Sequence, residues 1–410
     1  MSKLVVVALG GNALLRSNQK GTYQEQIANV TETCQALADI LKRGNRLIIG
    51  HGNGPQVGNV MLQHEAGLKT FDLPAMPMDF CVSETQGSIG YLVELGFKKV
   101  LAQEKIDRNV VTLITQVVVD KDDPMFKNPT KPVGPYYTHE EAEEFAAHTG
   151  AIYHEDPRGR GWRKVVASPQ PIKINNIEIV KSLADAGHIV VTVGGGGIPV
   201  VEKDGSVTGV EAVIDKDLAS SLAAIQTGAD EFYILTDVPQ AYINFKKENQ
   251  QALGRISITE AKKHLADGQF TEGSMAPKMR AAIKFVEATG KEAVITDATT
   301  LSDENGGTRN VQCIDGDIIY NEKDDSPDEV KSALTVYGIN LFLNFFWSII
   351  FFNMRAFLLS FIWLVVLWII ILAMIIKFYK IKPIAGILQI PYLLWVTFAG
   401  YLNLARFVIN

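Results

Sequence analysis

The chain has 410 residues and a formal net charge of -6, which leaves room for two or three domains of roughly 150 residues and removes any global electrostatic case for binding nucleic acid. The mean conceals a division. Residues 335 to 410 hold five basic residues (Arg355, Lys377, Lys380, Lys382 and Arg406), no acidic one, four of the five Trp and ten of the 19 Phe, whereas the first 334 residues carry 34 Lys and Arg against 45 Asp and Glu. Cys34, Cys81 and Cys313 lie far apart, with neither C-x-x-C spacing nor a nearby pair of His, which argues against a disulfide framework and against a zinc site.

Leu4 to Leu9 is too short for the apolar stretch of a signal peptide and runs straight into a glycine turn, so it reads as a first strand and this part of the chain is expected to stay in the cytosol. Val5 to Leu9, Leu47 to Ile49, Val110 to Ile114, Ile189 to Val193, Glu231 to Leu235 and Ala293 to Thr296 read as buried strands, with amphipathic helices such as Gln24 to Lys42 and Asn175 to Ala186 between them. Strand and helix in alternation predict an α/β fold, a largely parallel sheet sandwiched by helices, whose ligands bind beyond the carboxyl ends of the strands. The polar stretch Asp120 to Lys164, rich in Pro and aromatics and carrying a helix-like Glu140 to Ala147, breaks the alternation and predicts an inserted lid subdomain, residues 120–165. The α/β part is thus expected to span residues 1–314. A charged linker, 315–334, containing the proline-bearing stretch Asn321 to Glu329, follows it. Val336 to Met354, Ala356 to Ile376 and Ile384 to Ala405 are each about 20 residues of apolar chain, enough to cross a hydrocarbon core, and Trp or Tyr stands near their ends. Three transmembrane helices over residues 335–410 are expected.

Three glycine turns follow strands: Gly10-Gly11-Asn12, Gly50-His51-Gly52-Asn53-Gly54-Pro55-Gln56 and Gly194-Gly195-Gly196-Gly197-Ile198-Pro199. Such turns let backbone N–H groups converge on a phosphate or carboxylate oxygen, and a following helix adds its positive end. None has the lysine of a Walker loop or the spacing of a dinucleotide site. Cations come from Lys131 in Pro129 to Gly134, Lys216 between Asp215 and Asp217, and Lys278 in Gly273 to Lys278, all read as glycine- or proline-fixed loops. Phosphoryl transfer needs donors and cations that neutralise the moving group and hold both substrates in line. An acceptor that is already an anion needs no general base, which points to a carboxylate-like acceptor.

Over residues 3 to 313 these motifs, with Ser168-Pro169, Gly209 to Asp217, Thr236-Asp237-Val238 and Gly273 to Lys278, resemble the carbamate kinases of the amino acid kinase superfamily. The resemblance implies reversible phosphoryl transfer between ATP with Mg²⁺ and carbamate, giving ADP and carbamoyl phosphate, as in arginine breakdown, by a homodimer. It implies that Lys131, Lys216 and Lys278 contact phosphates and that Asp217 orients the lysines. Gly10, Gly11, Asn12, Gly52 and Asn53, with Gly195 and Gly196, would line the phosphate and acceptor side, and Thr236, Asp237, Tyr242, Met275 and Pro277 the nucleotide side. Superfamily members that phosphorylate amino acids usually carry a first-strand lysine where this chain has Ala8. Lys216 is expected to supply that cation from another loop. Ser302 to Gly307 is shorter and more acidic than the corresponding stretch of the family.

From about Ile318 the chain resembles the last three of the five helices of the translocator protein or tryptophan-rich sensory protein (TspO) family, through Leu343 to Phe352 and Ile390 to Asn403. That likeness implies a pocket for a tetrapyrrole or sterol faced by Asn344, Trp347, Trp395 and Phe398. The chain then reads either as a membrane-anchored kinase or as a membrane receptor for an apolar ligand, or as a chimera with an adventitious tail. The kinase motif set is full and the membrane set lacks two helices, which favours the enzyme.

Charge placement fixes an expected topology. With the kinase part in the cytosol, the first span runs outward, the turn Asn353 to Ala356 lies outside, and the second span returns Lys377, Lys380 and Lys382 to the cytosol, in line with the excess of Lys and Arg in short cytoplasmic loops. Reporter fusions are expected to give a cytosolic signal in the Lys377 to Lys382 loop and an external one at Asn410. A cytosolic C-terminus would mean that one apolar run does not span.

Overall fold

Along the strand Leu4–Leu9 every side chain is buried, yet successive residues serve different cores. Leu4, Val6 and Ala8 join one cluster with Ile48, Val190 and Ile234, while Val5, Val7 and Leu9 join another with Leu47, Ile49 and Val191. Side chains alternate across a strand, so a run that is apolar at every position needs cover on both faces. The computed structural model, which describes residues 2–16, 19–156, 159–301, 306–311, 327–353, 356–381 and 387–409, supplies that cover with helices.

In chain order the strands are β1 (Leu4–Leu9), β2 (Arg46–His51), β3 (Val110–Thr112), β4 (Gln116–Val119), β5 (Lys131–Tyr137), β6 (Ile152–Glu155), β7 (Trp162–Val166), β8 (Pro171–Ile174), β9 (Ile189–Val191), β10 (Ile198–Lys203), β11 (Ser206–Gly209), β12 (Glu231–Leu235), β13 (Ala241–Ile243), β14 (Gln251–Leu253), β15 (Arg255–Ser257), β16 (Ala293–Thr296) and β17 (Thr308–Val311). The helices of this part are α1 (Tyr23–Lys42), α2 (Gly54–Phe71), α3 (Met78–Glu104), α4 (His139–Thr149), α5 (Ile177–Asp185), α6 (Lys216–Thr227), α7 (Ile258–Ala266) and α8 (Met275–Thr289). The main sheet has eight strands in the order β15-β17-β16-β12-β1-β2-β9-β3. All its pairings are parallel except β16 with β17. Residues from α5, α6 and α8 cover one face and residues from α1 and α3 the other. The α/β sandwich expected from the sequence is the fold observed.

Two features differ from expectation. A second sheet has four strands in the order β11-β10-β4-β8; polar residues and prolines within these strands break the continuous apolar pattern by which the main-sheet strands are read. The stretch expected as a lid is a three-stranded antiparallel sheet of order β5-β7-β6 with α4. It starts at Lys131, and residues 120–130 are a connection containing one 3₁₀ turn, Pro124–Phe126.

Two units divide the chain, Met1–Tyr320 and Asn321–Asn410. The expected linker 315–334 is helical from Pro327 onward; its residues 315–326, like Cys313, Arg355, Lys382, Asn410 and 302–305 of the acidic stretch, lie outside the described residues. The second unit contains helices Pro327–Ser348, Phe357–Ile381 and Ile390–Ile409, with a π turn at Ile349–Asn353. Thr335–Phe352, Leu358–Tyr379 and Ile390–Ile409 are long and apolar enough to cross a membrane. Leu364, Leu367, Ile371 and Met374 of the middle helix pack with Val396 of the last. Polar groups among them pair internally: the Ser360 hydroxyl donates to Asn403 Oδ1 at 2.6 Å and Trp363 Nε1 to the Leu343 carbonyl at 2.7 Å. Such pairing is what an apolar surround demands.

Candidate active site

Strands β12, β1, β2 and β9 are neighbours in the main sheet, and the three parallel pairings between them bring their carboxyl ends to one edge. Thr236-Asp237 leaves β12 there, Gly10-Gly11 leaves β1, Gly52-Asn53 leaves β2, and Gly194 to Gly197 follows β9. Residues far apart in sequence thus become adjacent turns by register alone. The fit is tight. Gly195, at φ +67°, has no room for a Cβ, which would stand 2.3 Å from the Asn53 amide; a Cβ on Gly196, at φ +94°, would stand 2.2 Å from the Ile214 carbonyl oxygen. Buried Val193 holds φ +45°, an unfavourable conformation for a β-branched residue, and such strain concentrates where function demands it.

Above this edge lie the cations. Lys216 is the first residue of α6, where the Asp215 side chain caps the helix by accepting from the Asp217 N–H at 2.9 Å. Lys278 lies in the first turn of α8, and Lys131 opens β5. Two of the three are therefore in first turns of helices and the third in a strand, rather than in loops as their glycine and proline neighbours suggested. The Asp217 carboxylate joins two of them: Lys216 Nζ donates to Oδ1 at 2.5 Å and Lys278 Nζ to Oδ2 at 2.9 Å. Lys131 Nζ reaches Asp215 Oδ2 at 3.1 Å. Side chains of Lys216, Lys278 and Asp217 are 15%, 13% and 3% exposed, so this is a desolvated charge cluster in which each contact is stronger than in water. Burial pulls the Lys216 ammonium below its usual pKa despite Asp217. For Lys278 burial acts the same way but is outweighed by Asp217, Asp215 and Asp237, which raise it. For Asp217 burial opposes the charge, and the two lysines overcome it and hold the carboxyl below its ordinary range.

A cleft of about 510 Å³ opens between the β2 turn and the β5-β7-β6 sheet, lined by Asn53, Pro55, Lys131, Gly134, Lys20 and Arg163 among others. Lys20 and Arg163 carry no sequence signal of their own; long-range packing brings them to the cleft. Arg163 is held by two hydrogen bonds to the Gly134 carbonyl, at 3.1 and 2.7 Å. His51 is the other residue the motif reading passed over. It is buried, with Nδ1 donating to the Gly52 carbonyl at 2.9 Å. A Cβ on Gly194 would stand 2.5 Å from its Nε2. Of the expected nucleotide residues, Thr236 and Asp237 follow β12, Tyr242 lies in β13 with its ring 5.9 Å from that of Phe245, and Met275 and Pro277 share the first turn of α8 with Lys278. Asn12 lies in the 3₁₀ turn Gly11–Ala13.

The four residues expected to face a membrane pocket do not enclose one in the second unit. Asn344 is exposed, Trp395 and Phe398 are 68% and 54% exposed, and Trp347 is half-buried. A small cavity of about 190 Å³ is lined instead by Phe361, Trp368, Val396, Thr397 and Tyr401 among others. Three helices leave one side of each without a partner, so these aromatic faces point outward.

Comparison with known proteins gives the family and supports the fold. The amino acid kinase family matches residues 3–297, and the chain belongs to that family. Carbamate kinase of Pyrococcus furiosus is 48% identical over 295 residues, 72% of this chain and 94% of the relative. That of Trichomonas vaginalis is 48% identical over 294 residues, 71% of this chain and 93% of the relative. The solved structure of carbamate kinase from Giardia lamblia bound to AMP-PNP matches with a TM-score of 0.72 at 43% identity, covering 76% of this chain and 99% of that one. Within its family the kinase unit is a carbamate kinase, a phosphotransferase. Residues 314–408 match the TspO/MBR family.

The His51 ring links the site to pH. Burial, with Lys216 close by, lowers its pKa from 6.5 to about 4. The folded state therefore keeps the ring neutral between those values while the unfolded chain protonates it. This contribution to stability is full above pH 6.5 and is lost as pH falls toward 4, by about 3 kcal/mol. His51→Gln is expected to flatten the dependence of the melting temperature on pH across this window; an unchanged slope would show that the ring is not held neutral.

Proposed function

We propose that the kinase unit transfers a phosphoryl group reversibly between ATP and carbamate at the Lys131, Lys216, Lys278 and Asp217 cluster. The observation that carries this reading is the single buried carboxylate shared by Lys216 and Lys278 over three converging glycine turns. A carbamate oxygen attacks the γ-phosphorus, the bond from that phosphorus to the β,γ-bridging oxygen breaks, and ADP leaves with the electron pair. The lysines neutralise the oxygens of the moving group, and backbone N–H groups of the Gly10-Gly11 and Gly195-Gly196 turns hold it in line. Because the carbamate oxygen is already anionic, no side chain has to remove a proton. The aliphatic stem of Lys216 passes within 3.0 Å of where a Gly52 Cβ would stand, which places its charge beside the acceptor turn and supports its role as substitute for a first-strand cation. Thr236, Asp237, Tyr242, Met275 and Pro277 hold the nucleotide.

Mg²⁺ suits the residues present. Asp215, Asp217 and Asp237 all act electrostatically on Lys278, but the first two are engaged by lysines, so Asp237 is the carboxylate with most freedom. A cation that keeps several waters and binds mainly through substrate phosphates fits such a site. When bound with the nucleotide, it supplies charge neutralisation at the β- and γ-phosphates. Leu68, Phe71, Leu73, Met76 and Phe80, exposed around the turn between α2 and α3, support a homodimer through the kinase unit. The three apolar helices anchor the chain in the cell membrane, with the kinase unit on the cytoplasmic side.

Lys216→Ala and Lys278→Ala are each expected to lower the rate of ATP formation from ADP and carbamoyl phosphate by a hundredfold or more, since a contact in a dry, preorganised site is worth about 3 kcal/mol. Lys131→Ala is expected to act likewise. A near wild-type rate for Lys216→Ala would overturn the assignment of the cluster.

A further inference from the structure

Away from the phosphate site, helices α2 and α3 bring together three side chains that the transfer chemistry does not use. Cys81 and Glu84 are one turn apart at the start of α3 and so share a face, and His64 reaches them from α2. His64 Nε2 lies 3.0 Å from Glu84 Oε2. One imidazole nitrogen, the Cys81 sulfur and one Glu84 oxygen all lie within 4.8 Å of one another. Cys81 is 1% exposed. Its sulfur makes one long contact, 3.7 Å, to the Met76 carbonyl.

We infer that His64, Cys81 and Glu84 form a site for a divalent transition cation of the Zn²⁺ class, with water completing the coordination. The donor set decides the class. Thiolate and imidazole suit Zn²⁺ and its soft neighbours, whereas Mg²⁺ and Ca²⁺ require oxygen ligands. Three protein ligands and one open position form a common zinc arrangement. Ligand distances of about 2.0–2.3 Å bring donor atoms to about 3.3–3.8 Å from one another, so the cluster closes by about 1 Å, within the reach of small side-chain rotations. On binding, the thiol proton passes to solvent; thiolate and carboxylate then balance the charge of the ion. The site also has a mechanical position. Cys81 shares a core cluster with Val57 of α2 and with Val133 and Val166 of the lid strands β5 and β7, so an ion here ties the two helices on which the lid stands.

The sequence spacing hides this site, because one ligand is 17 residues from the next and only the pairing of α2 with α3 joins them. Titrating the metal-stripped full chain in detergent with Cd²⁺ tests it. One equivalent is expected to produce a thiolate-to-cadmium charge-transfer absorption that Zn²⁺ abolishes by competition. Cys81→Ser is expected to remove the absorption, and His64→Ala and Glu84→Ala each to weaken Cd²⁺ binding at least tenfold. Retention of ATP-forming activity in zinc-free buffer by the three variants reports an intact fold. An absorption that persists in Cys81→Ser, arising from Cys34 or Cys313, overturns the inference, as does binding unaltered by both His64→Ala and Glu84→Ala.

Discussion

The Asp217 carboxylate, buried between the ammonium groups of Lys216 and Lys278, is the interaction on which the rest of the kinase unit turns. Two cations this close repel and are costly to desolvate; one anion between them offsets both terms. Without it two buried ammonium groups would face each other unpaired, a loss of about 3–5 kcal/mol by the measure of broken buried ion pairs. Lys216 and Lys278 stand in the first turns of α6 and α8. The ion pairs therefore fix the starts of two helices that pack against each other in the core through Leu218, Ala223, Ala282 and Phe285. On the proposed reading, chemistry and fold share one set of contacts.

Much of this was legible in the sequence because it is local. The strands Glu231–Leu235 and Ala293–Thr296 are bounded as their apolar runs predict, and α1 starts where Thr22 and Glu25 form a capping box. Glycine turns after strands mark the functional edge for the same reason, since a parallel sheet puts every carboxyl end on one side. What was not legible depends on pairing at a distance. The second sheet is assembled from β4, β8, β10 and β11, in which Gln, Pro, Lys, Glu, Ser and Thr interrupt the continuous apolar run that marks the strands of the main sheet. Lys20 and Arg163 are ordinary residues until folding places them at the cleft, and His51, although it stands inside the second glycine turn, meets Gly194 only in the fold. The environment of Lys278 was also misread. Met275-Ala276-Pro277 looks like a loop, yet proline is tolerated in the first turn of a helix, where its missing N–H would have no intrahelical partner, and α8 runs directly through it.

The membrane-directed unit obeys a different rule. In the kinase unit a run of apolar residues signals cover on both faces, whereas helices such as Leu358–Tyr379 are apolar over a length sufficient to cross a hydrocarbon core. Ile362, Val365 and Ile369 face outward at 52%, 44% and 55% exposure, while Leu364, Leu367 and Ile371 turn inward. An outward face as apolar as the inward one is expected of a helix solvated by lipid, because lipid tails match leucine and remove the usual contrast between core and surface.

Polar atoms then carry more information than apolar ones. Ser360 with Asn403, and Trp368 Nε1 with Thr397 Oγ1 at 2.9 Å, form cross-helix pairs that set the register of the middle and last helices. Two others do not close. Asn340 Nδ2 and Trp347 Nε1, about two turns apart on the first apolar helix, are buried without a hydrogen-bond partner among the described residues. An orphan donor in a hydrocarbon surround costs several kcal/mol, more than the packing of one additional leucine returns. The exposed rings of Trp395 and Phe398 and the unpaired donors of Asn340 and Trp347 thus lie on opposite sides of the packing: the rings stand where the three described helices give no cover, the donors where those helices already shut out any further partner.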